Sequence, residues 1–311
     1  MTAKGVPQSK PETTSLSAPL DPSNGGDSER IRKPGDYKSG VKPVWCPGCG
    51  HYGALSAFYK AVAACGVDPK DLVIISGIGC SGRFSHFVKG YGFHVLHGRV
   101  LPVCQGIAAS TKGLLVCGIS GDGDALAIGG GHVPHAARRN PNMVYIVLDN
   151  SIYGLTKGQF SPTTRERTKT STSPFGVTEG CLDPLSLFLG YNASFVARGF
   201  SANSKQLSEM LAEAIRHPGF AVVHVLSPCV TFAKHQTYDS LSERIRLLPE
   251  DFDPSNKVAA FRYAQDQEAL YTGIFYRELR PTLQDHHNRA IDEARHDPSA
   301  GDFEKLLDSY V

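Results

Sequence analysis

Residues 114–124 read Leu-Leu-Val-Cys-Gly-Ile-Ser-Gly-Asp-Gly-Asp, an apolar run that ends in a turn of glycine and aspartate. A short, continuous run of this kind is typical of a strand buried on both faces of a sheet. Glycines after the strand let the backbone approach an anion, and a carboxylate there can hold a divalent cation. Asn150 follows the next apolar run, Met143–Leu148. Asp122 and Asn150 are therefore expected at neighbouring strand ends, where both can reach one Mg²⁺ ion.

Similar apolar runs recur along the chain and alternate with helical patterns. The further runs occupy Leu72–Ile75, Ala193–Ala197 and Phe220–Leu226, and the helical patterns occupy Ala54–Ala64, Gln105–Thr111, His132–Arg139, Leu185–Leu189 and Ser204–Arg216. Strands that alternate with helices indicate an α/β fold with a doubly wound parallel sheet. Ligands of such sheets bind at the carboxyl ends of the strands, and most polar motifs of this sequence lie in those turns.

The overall composition bounds the class of protein. The chain has 311 residues, of which 41% are hydrophobic, and a net charge of +2. This composition excludes a generally disordered chain and gives no electrostatic reason to expect nucleic-acid binding. The sequence contains neither an apolar stretch of roughly 18 residues, as a membrane span needs, nor a secretory signal. We therefore expect a cytoplasmic protein whose eight cysteines do not form disulfides.

Composition also divides the chain into three segments. Residues 1–40 are rich in Pro, Gly, Ser and Thr, and we expect a flexible N-terminal arm because so few apolar side chains cannot offset the ordering entropy. Residues 41–240 contain the apolar runs and the motifs, and are expected to form the ligand-binding domain. Residues 241–311 are acidic, with helical patterns at 258–278 and 285–296. They are expected to form a mostly helical C-terminal extension.

Four cysteines stand in turns rather than in helices or strands. Cys46 and Cys49 form a C-x-x-C motif, Cys80 follows the run Leu72–Ile75, and Cys229 follows the run Phe220–Leu226. Because the last two lie at strand ends of one sheet, the thiols are expected to converge. Four thiolates can bind Zn²⁺ or an iron–sulfur cluster, and the spacing alone does not decide between them.

Six motifs in a fixed order carry a family resemblance. They are CPGCGH (46–51), GIGCSGR (77–83), HGR-x-LP (97–102), GDGD (121–124), DNSIYGLTKGQ (149–159) and SPC (227–229). Together they resemble the β subunit of 2-oxoacid:ferredoxin oxidoreductases, over residues 41–232. The resemblance implies a fold of the thiamine-diphosphate-binding type. It also implies three cofactors in residues 41–240, namely thiamine diphosphate, Mg²⁺ and a [4Fe–4S] cluster.

The same resemblance implies roles for individual residues. The cluster ligands would be Cys46, Cys49, Cys80 and Cys229, and Mg²⁺ would be held by Asp122, Asn150 and the carbonyl oxygen of Ile152. The residues expected to contact thiamine diphosphate are Ile78, Gly79, Cys80, Ser81, His97, Gly123, Asp124, Gly154 and Leu155. Because Cys80 belongs to both sets, one loop would touch the cofactor and the cluster.

Two basic residues are candidates for substrate recognition. Arg83 follows the Cys80 loop, and a guanidinium can pair bidentately with the distal carboxylate of a substrate such as 2-oxoglutarate. Lys157 stands where the family often has Gly, and it is expected to neutralise phosphate charge or to face coenzyme A. The predicted substrate is therefore 2-oxoglutarate, with pyruvate or a branched-chain 2-oxoacid as the alternative.

The resemblance also implies partners. The chain has sequence for only one α/β domain, so we expect an α subunit that provides the pyrimidine-binding domain, in a dimer of α–β pairs. Ferredoxin, coenzyme A and the 2-oxoacid are the expected reaction partners, and the reaction can run towards oxidation or CO₂ fixation. Two other functions are open on the residues alone: a non-redox thiamine-diphosphate carboligase or decarboxylase with a structural zinc, and a non-catalytic, zinc-stabilised assembly subunit.

Overall fold

The structure, a computed structural model, describes residues 31–266, 268–296 and 307–310. Its sheet has the strand order β2-β1-β3-β4-β6-β5-β8-β7. The strands are β1 (Leu72–Ser76), β2 (Tyr91–His94), β3 (Leu115–Gly121), β4 (Met143–Asp149), β5 (Phe195–Phe200), β6 (Phe220–Leu226), β7 (Ile245–Leu247) and β8 (Leu270–Arg277). The strands from β2 to β5 in this order pair in parallel, and β8 pairs with β5 in the antiparallel direction.

Helices cover both faces of this sheet. They are α1 (His51–Ala64), α2 (Val100–Ser110), α3 (Val133–Arg139), α4 (Pro184–Gly190), α5 (Ser204–Arg216), α6 (Tyr238–Arg244), α7 (Lys257–Ala264) and α8 (Leu283–His296). The neighbouring β1 residues Ile74 and Ile75 point to opposite faces: Ile74 joins the core under α1 and α5, and Ile75 joins the core under α2, α3 and α4. The predicted doubly wound α/β fold is therefore confirmed. None of the helices in the described ranges combines the length and apolar character that a membrane span needs.

The sheet order explains why the motifs meet. Strands β1, β3, β4 and β6 are neighbours, and their registers place Ser76 beside Ile119 and Asp149 beside Leu226. Each of these four strands is followed by one of the predicted motif turns. Four motifs that are distant in sequence therefore lie side by side at one edge of the sheet.

The N-terminal segment differs in part from the expectation. Residues 1–30 of the expected arm lie outside the described residues. Within 31–40, Pro34–Tyr37 form a 3₁₀ turn, and the side chain of Tyr37 is fully buried. Its hydroxyl donates to the carbonyl oxygen of Val67 at 2.5 Å and lies 3.2 Å from that of Val62. This single aromatic side chain fixes residues 34–37 against the end of α1, so the expectation of a loose arm is wrong for them.

The C-terminal extension is part helix and part strand. Strand β8 continues the main sheet beside β5, and α6 spans the position where residue 240 was expected to end the domain. The helical pattern at 258–278 is wrong beyond Ala264, where α7 ends and the chain re-enters the sheet. Five of the eight residues in β8 are aromatic or β-branched, and residues of both kinds favour a strand. The pattern at 285–296 is confirmed by α8.

Candidate active site

The predicted cysteines come from three turns, and the turns of Cys80 and Cys229 meet beside Gly154. A Cβ atom built on Gly154 would lie 3.6 Å from Cys229 Sγ and 3.7 Å from Cys80 Sγ. Burial raises the pKa of the Cys49 thiol to about 12, and the charges of Cys229, Cys80 and Cys46 contribute to that rise. The four thiols are therefore close enough to influence one another. Cys229 Sγ also accepts a hydrogen bond from the backbone N–H of Phe232 at 3.4 Å, a contact that stabilises a thiolate.

The turn before α1 and the turn after β6 approach each other through Gly50. Its N–H donates to the carbonyl oxygen of Pro228 at 3.0 Å, and a Cβ atom at this position would lie 2.6 Å from Ser227 Oγ. The next residue, His51, forms a 2.7 Å hydrogen bond between Nδ1 and Ser227 Oγ. A side chain at residue 50 would separate the two turns. Gly50, the second glycine of the CPGCGH motif, therefore allows the turns of Cys49 and Cys229 to approach closely.

Thiol donors suit a thiolate-bound metal group. The described residues contain no group of three or more His, Cys, Asp or Glu side chains arranged to hold a metal ion. The residues around Gly154 nevertheless provide sulfur donors and an N–H donor to sulfur. These groups fit a cluster held by thiolates. The four-cysteine ligand set stays a prediction.

Asp122 occupies the turn after β3 and is 2% exposed. Burial and the charge of Asp149 raise the pKa of the Asp122 carboxyl to about 7. A carboxylate in such a position is stabilised by a cation, so the site fits Mg²⁺. Asn150 and Ile152 follow β4, and the Asn150 Oδ1 accepts a hydrogen bond from the Ile152 N–H at 3.2 Å. The proposed metal ligands thus lie on two neighbouring turns, as their sequence positions predict.

Asp124 connects the turn that follows β1 and the turn that precedes α2 by hydrogen bonds. Its Oδ1 accepts hydrogen bonds from Ile78 N (3.2 Å) and Gly98 N (2.8 Å) and contacts His97 Nδ1 at 2.6 Å, while its Oδ2 is buried without a hydrogen-bond partner. The geometry gives Asp124 and His97 a role in joining three motif turns. As contacts of thiamine diphosphate, both residues stay predictions.

The other predicted cofactor contacts lie in the turns after β1, β3 and β4. Gly79 has φ +107° with open space where a side chain would be, a conformation that favours glycine. Gly123 begins a short π-helix, Gly123–Ile128, a feature that is frequent at functional sites. Ser81 and Gly154 are buried, and Ile78 and Leu155 are exposed.

Arg83 and Lys157 are both exposed. Arg83 lies in the 3₁₀ helix Ser81–His86, and its charge counteracts the burial that raises the pKa of the Cys80 thiol. Lys157 has φ +77°, a left-handed conformation that a residue with a side chain adopts at a cost of roughly 1–2 kcal/mol. Both residues border the predicted cofactor site, and their roles in substrate recognition stay predictions.

Two protein families match consecutive parts of this chain. Residues 77–225 match the family described as "Thiamine pyrophosphate enzyme, C-terminal TPP binding domain", and residues 229–299 match the family of the C-terminal part of the pyruvate ferredoxin oxidoreductase beta subunit. A 2-oxoacid:ferredoxin oxidoreductase subunit beta of Saccharolobus solfataricus is 43% identical over 255 residues, covering 77% of this chain and 84% of the relative. The chain belongs to the family of 2-oxoacid:ferredoxin oxidoreductase β subunits.

Further members of the family are similar to it. The 2-oxoglutarate oxidoreductase subunit KorB of Mycobacterium tuberculosis is 41% identical over 205 residues, covering 66% of this chain and 55% of the relative. A solved 2-oxoglutarate:ferredoxin oxidoreductase from Magnetococcus marinus has a TM-score of 0.86 and 41% identity, covering 94% of this chain and 98% of that chain. This oxidoreductase β subunit therefore has a thiamine-diphosphate-binding domain. Its membership of a β-subunit family implies an α-subunit partner.

Four buried residues of this β subunit are not predicted by the sequence patterns. Asp149, Thr163, Arg198 and His224 form a polar chain that ends at Asp122. A signal exists for two of them: Arg198 and His224 interrupt the apolar strands β5 and β6, and charged or polar side chains inside such strands need partners. Thr163 lies in a long loop without periodic pattern, so nothing in its surroundings indicates a role.

Proposed function

We propose that the chain is the thiamine-diphosphate- and cluster-binding subunit of an enzyme that oxidatively decarboxylates 2-oxoglutarate. The products are the acyl-coenzyme A and CO₂, the electrons pass to ferredoxin, and the reaction can also run in reverse. Two kinds of similarity support the substrate: relatives named as KorB 2-oxoglutarate subunits, and the Magnetococcus enzyme solved with 2-oxoglutarate, coenzyme A and succinyl-CoA.

One observation carries the proposal. The position of a Cβ atom on Gly154 is 3.6 Å from Cys229 Sγ, 3.7 Å from Cys80 Sγ and 3.8 Å from Asn150 Nδ2. Two of the four proposed cluster ligands and a proposed Mg²⁺ ligand therefore meet at one glycine. A carboligase with a structural zinc has no need for this proximity, whereas an enzyme that transfers electrons from cofactor to cluster does.

The roles of this chain's own residues follow from their positions. Asp122, Asn150 and the Ile152 carbonyl would hold Mg²⁺, and the glycines of the 77–82 and 121–124 turns would admit the diphosphate. Cys46, Cys49, Cys80 and Cys229 would hold the [4Fe–4S] cluster. When bound, thiamine diphosphate supplies an electron sink for decarboxylation and the cluster accepts single electrons. The α subunit would supply the pyrimidine-binding domain, in a dimer of α–β pairs.

Arg83 and Lys157 complete the proposed site. The distal carboxylate of 2-oxoglutarate must find a cation when it leaves water, because an unpaired buried carboxylate costs several kcal/mol. Arg83 would provide that cation, and the exposed ammonium of Lys157 would face phosphate or coenzyme A. Pyruvate or a branched-chain 2-oxoacid is the substrate if no such pairing exists.

The metal content after a cysteine substitution tests the proposal. The protein, purified without oxygen together with its α subunit, should be brown and contain about four irons per chain with negligible zinc. Cys229→Ser should abolish the cluster and the 2-oxoglutarate-dependent reduction of a viologen dye. Cys65→Ser is the matched control, because Cys65 Sγ donates to the Ala212 carbonyl at 3.7 Å and lies outside the four-thiol group. A colourless zinc protein, or full iron and activity in Cys229→Ser, would overturn the assignment.

A further inference from the structure

Asp149 is a buried carboxylate to which no role is predicted, and it directly precedes the turn of the proposed Mg²⁺ ligands Asn150 and Ile152. Asp149 ends β4 and is 3% exposed. Its Oδ1 accepts hydrogen bonds from Ser151 N (2.8 Å), Ser151 Oγ (3.2 Å) and Thr163 Oγ1 (2.8 Å), and its Oδ2 contacts His224 Nε2 at 2.8 Å. Asp149 is thus a buried carboxyl group whose two oxygens both face protein donors.

The protonation of His224 is fixed from its other side. Arg198 is 3% exposed, and its Nε–H points at His224 Nδ1 at 3.3 Å. A guanidinium can only donate, so Nδ1 must be the accepting nitrogen and the proton must sit on Nε2. His224 Nε2 therefore donates to Asp149 Oδ2. The Arg198 charge is balanced by Asp183, 3.1 Å away, which also caps α4.

Thr163 joins this chain of polar groups to the proposed metal site. Its Oγ1 lies 2.8 Å from Asp122 Oδ2 and 2.8 Å from Asp149 Oδ1. One hydroxyl has one proton, so Thr163 can donate to only one of the two carboxylates at a time. Asp149 keeps the Ser151 N–H and His224 Nε2 as donors when that proton turns to Asp122, while the Ser151 hydroxyl is shared between Asp149 Oδ1 (3.2 Å) and Gln236 Oε1 (3.0 Å). The hydroxyl can therefore serve Asp122 in its ionised, cation-binding form.

We propose that Thr163 is a positioning residue for the metal site, and that the Asp149–His224–Arg198 chain holds it in place. Thr163 would fix the rotation of the Asp122 carboxylate towards the cation. Asp149 would hold the Ser151 backbone, and with it the turn that contains Asn150 and Ile152. The inference rests on the proposed function, because it assumes that Asp122 binds a divalent cation. It adds residues that reach the metal only through its ligands.

The contribution of residues that contact only the metal ligands can be measured as a change in metal affinity. Removing a hydrogen bond to a metal ligand typically costs 10- to 100-fold in affinity. A side chain that only fills space in the core would leave the affinity unchanged when replaced by one of the same shape. Thr163→Val removes the hydroxyl and keeps the branched shape, whereas Thr163→Ser keeps the hydroxyl and loses a methyl group. This pair separates positioning from packing.

The experiment is a Mn²⁺ titration followed by electron paramagnetic resonance. Mn²⁺ replaces Mg²⁺, thiamine diphosphate is present, and the protein is the complex with its α subunit. We expect Thr163→Val to weaken Mn²⁺ binding by about 10-fold or more, and Thr163→Ser to stay near the wild-type affinity. The visible absorption of the cluster should be unchanged in both, because the cysteines lie on other turns.

The outcomes distinguish this inference from the proposed function. Equal Mn²⁺ affinity in the wild type and Thr163→Val overturns the positioning role and leaves the proposed function intact. Failure of the wild type to bind Mn²⁺ with thiamine diphosphate overturns the metal site itself. Should Thr163→Val not accumulate in folded form, His224→Leu provides the test. It deprives Asp149 of one donor, and an unchanged Mn²⁺ affinity in that variant would also contradict the inference.

Discussion

The indole Nε1 of Trp45 donates a 2.7 Å hydrogen bond to the carbonyl oxygen of Cys80. Trp45 precedes the C-x-x-C turn and is 7% exposed, and its ring packs edge-on against His51 and Phe87 at centroid distances of 5.4 and 4.9 Å. One side chain therefore ties the turn of Cys46 and Cys49 to the turn of Cys80. Together with the bond between His51 and Ser227, it cross-links all three turns that contain the predicted cluster ligands.

Trp45→Phe should make the cluster labile. Phe preserves an aromatic ring in the core but cannot donate to Cys80, so the two turns lose their shared hydrogen bond, and the Cys80 carbonyl keeps only the longer bond from the Arg83 N–H (3.4 Å). The loss of one such hydrogen bond costs roughly 0.5–1.5 kcal/mol. We expect faster loss of iron in air than in the wild type, measured by the decay of the visible absorption. Tyr59→Phe is the control, because the Tyr59 hydroxyl donates to the Phe87 carbonyl and not to a cysteine turn. Equal decay in both variants would argue that the Trp45 hydrogen bond does not specifically stabilise the cluster.

Asp122→Ala should release thiamine diphosphate and spare the cluster. The substitution removes a charged Mg²⁺ ligand from a site that must also neutralise a diphosphate, so cofactor affinity should fall by more than about 100-fold. Cofactor content after gel filtration measures this loss, and iron content provides the internal control. Wild-type amounts of bound cofactor in Asp122→Ala would mean that the GDGD turn is structural only.

The sequence predicts the central part of the fold because its signal is local. Strands such as β4 and β6 are buried on both faces, so nearly every residue is apolar and the run is visible without knowledge of its neighbours. The edge strand β2 is exposed at all four residues and shows no such run. Strand β8 follows α7 after a short turn, and its partly buried pattern merges with the helical one before it.

The difference between local sequence signals and tertiary contacts also explains which site residues can be predicted. Asp122, Asn150 and the cysteines stand in motif turns, and the parallel topology then brings those turns together. Thr163 reaches Asp122 through the path of a long loop, and the path of a loop is not encoded by periodicity or spacing. His224 and Arg198 are visible as polar residues in apolar strands, but their contact depends on the register between β5 and β6, which places Arg198 beside His224.

Buried histidines should make the folded state sensitive to mild acid. Burial, with the charges of Arg277 and Arg280, lowers the pKa of His217 to about 4, and burial lowers that of His51 to about 4. The unfolded chain binds these protons at about pH 6.5, so stability is complete above that value and declines as pH falls towards 4. His217→Gln should reduce the difference in unfolding free energy between pH 7 and pH 5 by about 2 kcal/mol. Urea denaturation at the two pH values measures this, and an unchanged difference would show that the pKa of His217 is the same in the folded and unfolded states.

Arg83→Ala should change which acid the enzyme prefers. The substrate 2-oxoglutarate has a second carboxylate that pyruvate lacks, and a charge-assisted bidentate pair with Arg83 would be lost only for the longer acid. We expect kcat/KM for 2-oxoglutarate to fall about 100-fold, which corresponds to roughly 3 kcal/mol, and kcat/KM for pyruvate to fall much less. The competing role is visible in the structure, because the Arg83 charge also acts on the Cys80 thiol. An equal loss for both acids, together with a shifted cluster reduction potential, would assign Arg83 to the cysteine turn, and a wild-type preference for pyruvate would show that the predicted substrate is wrong.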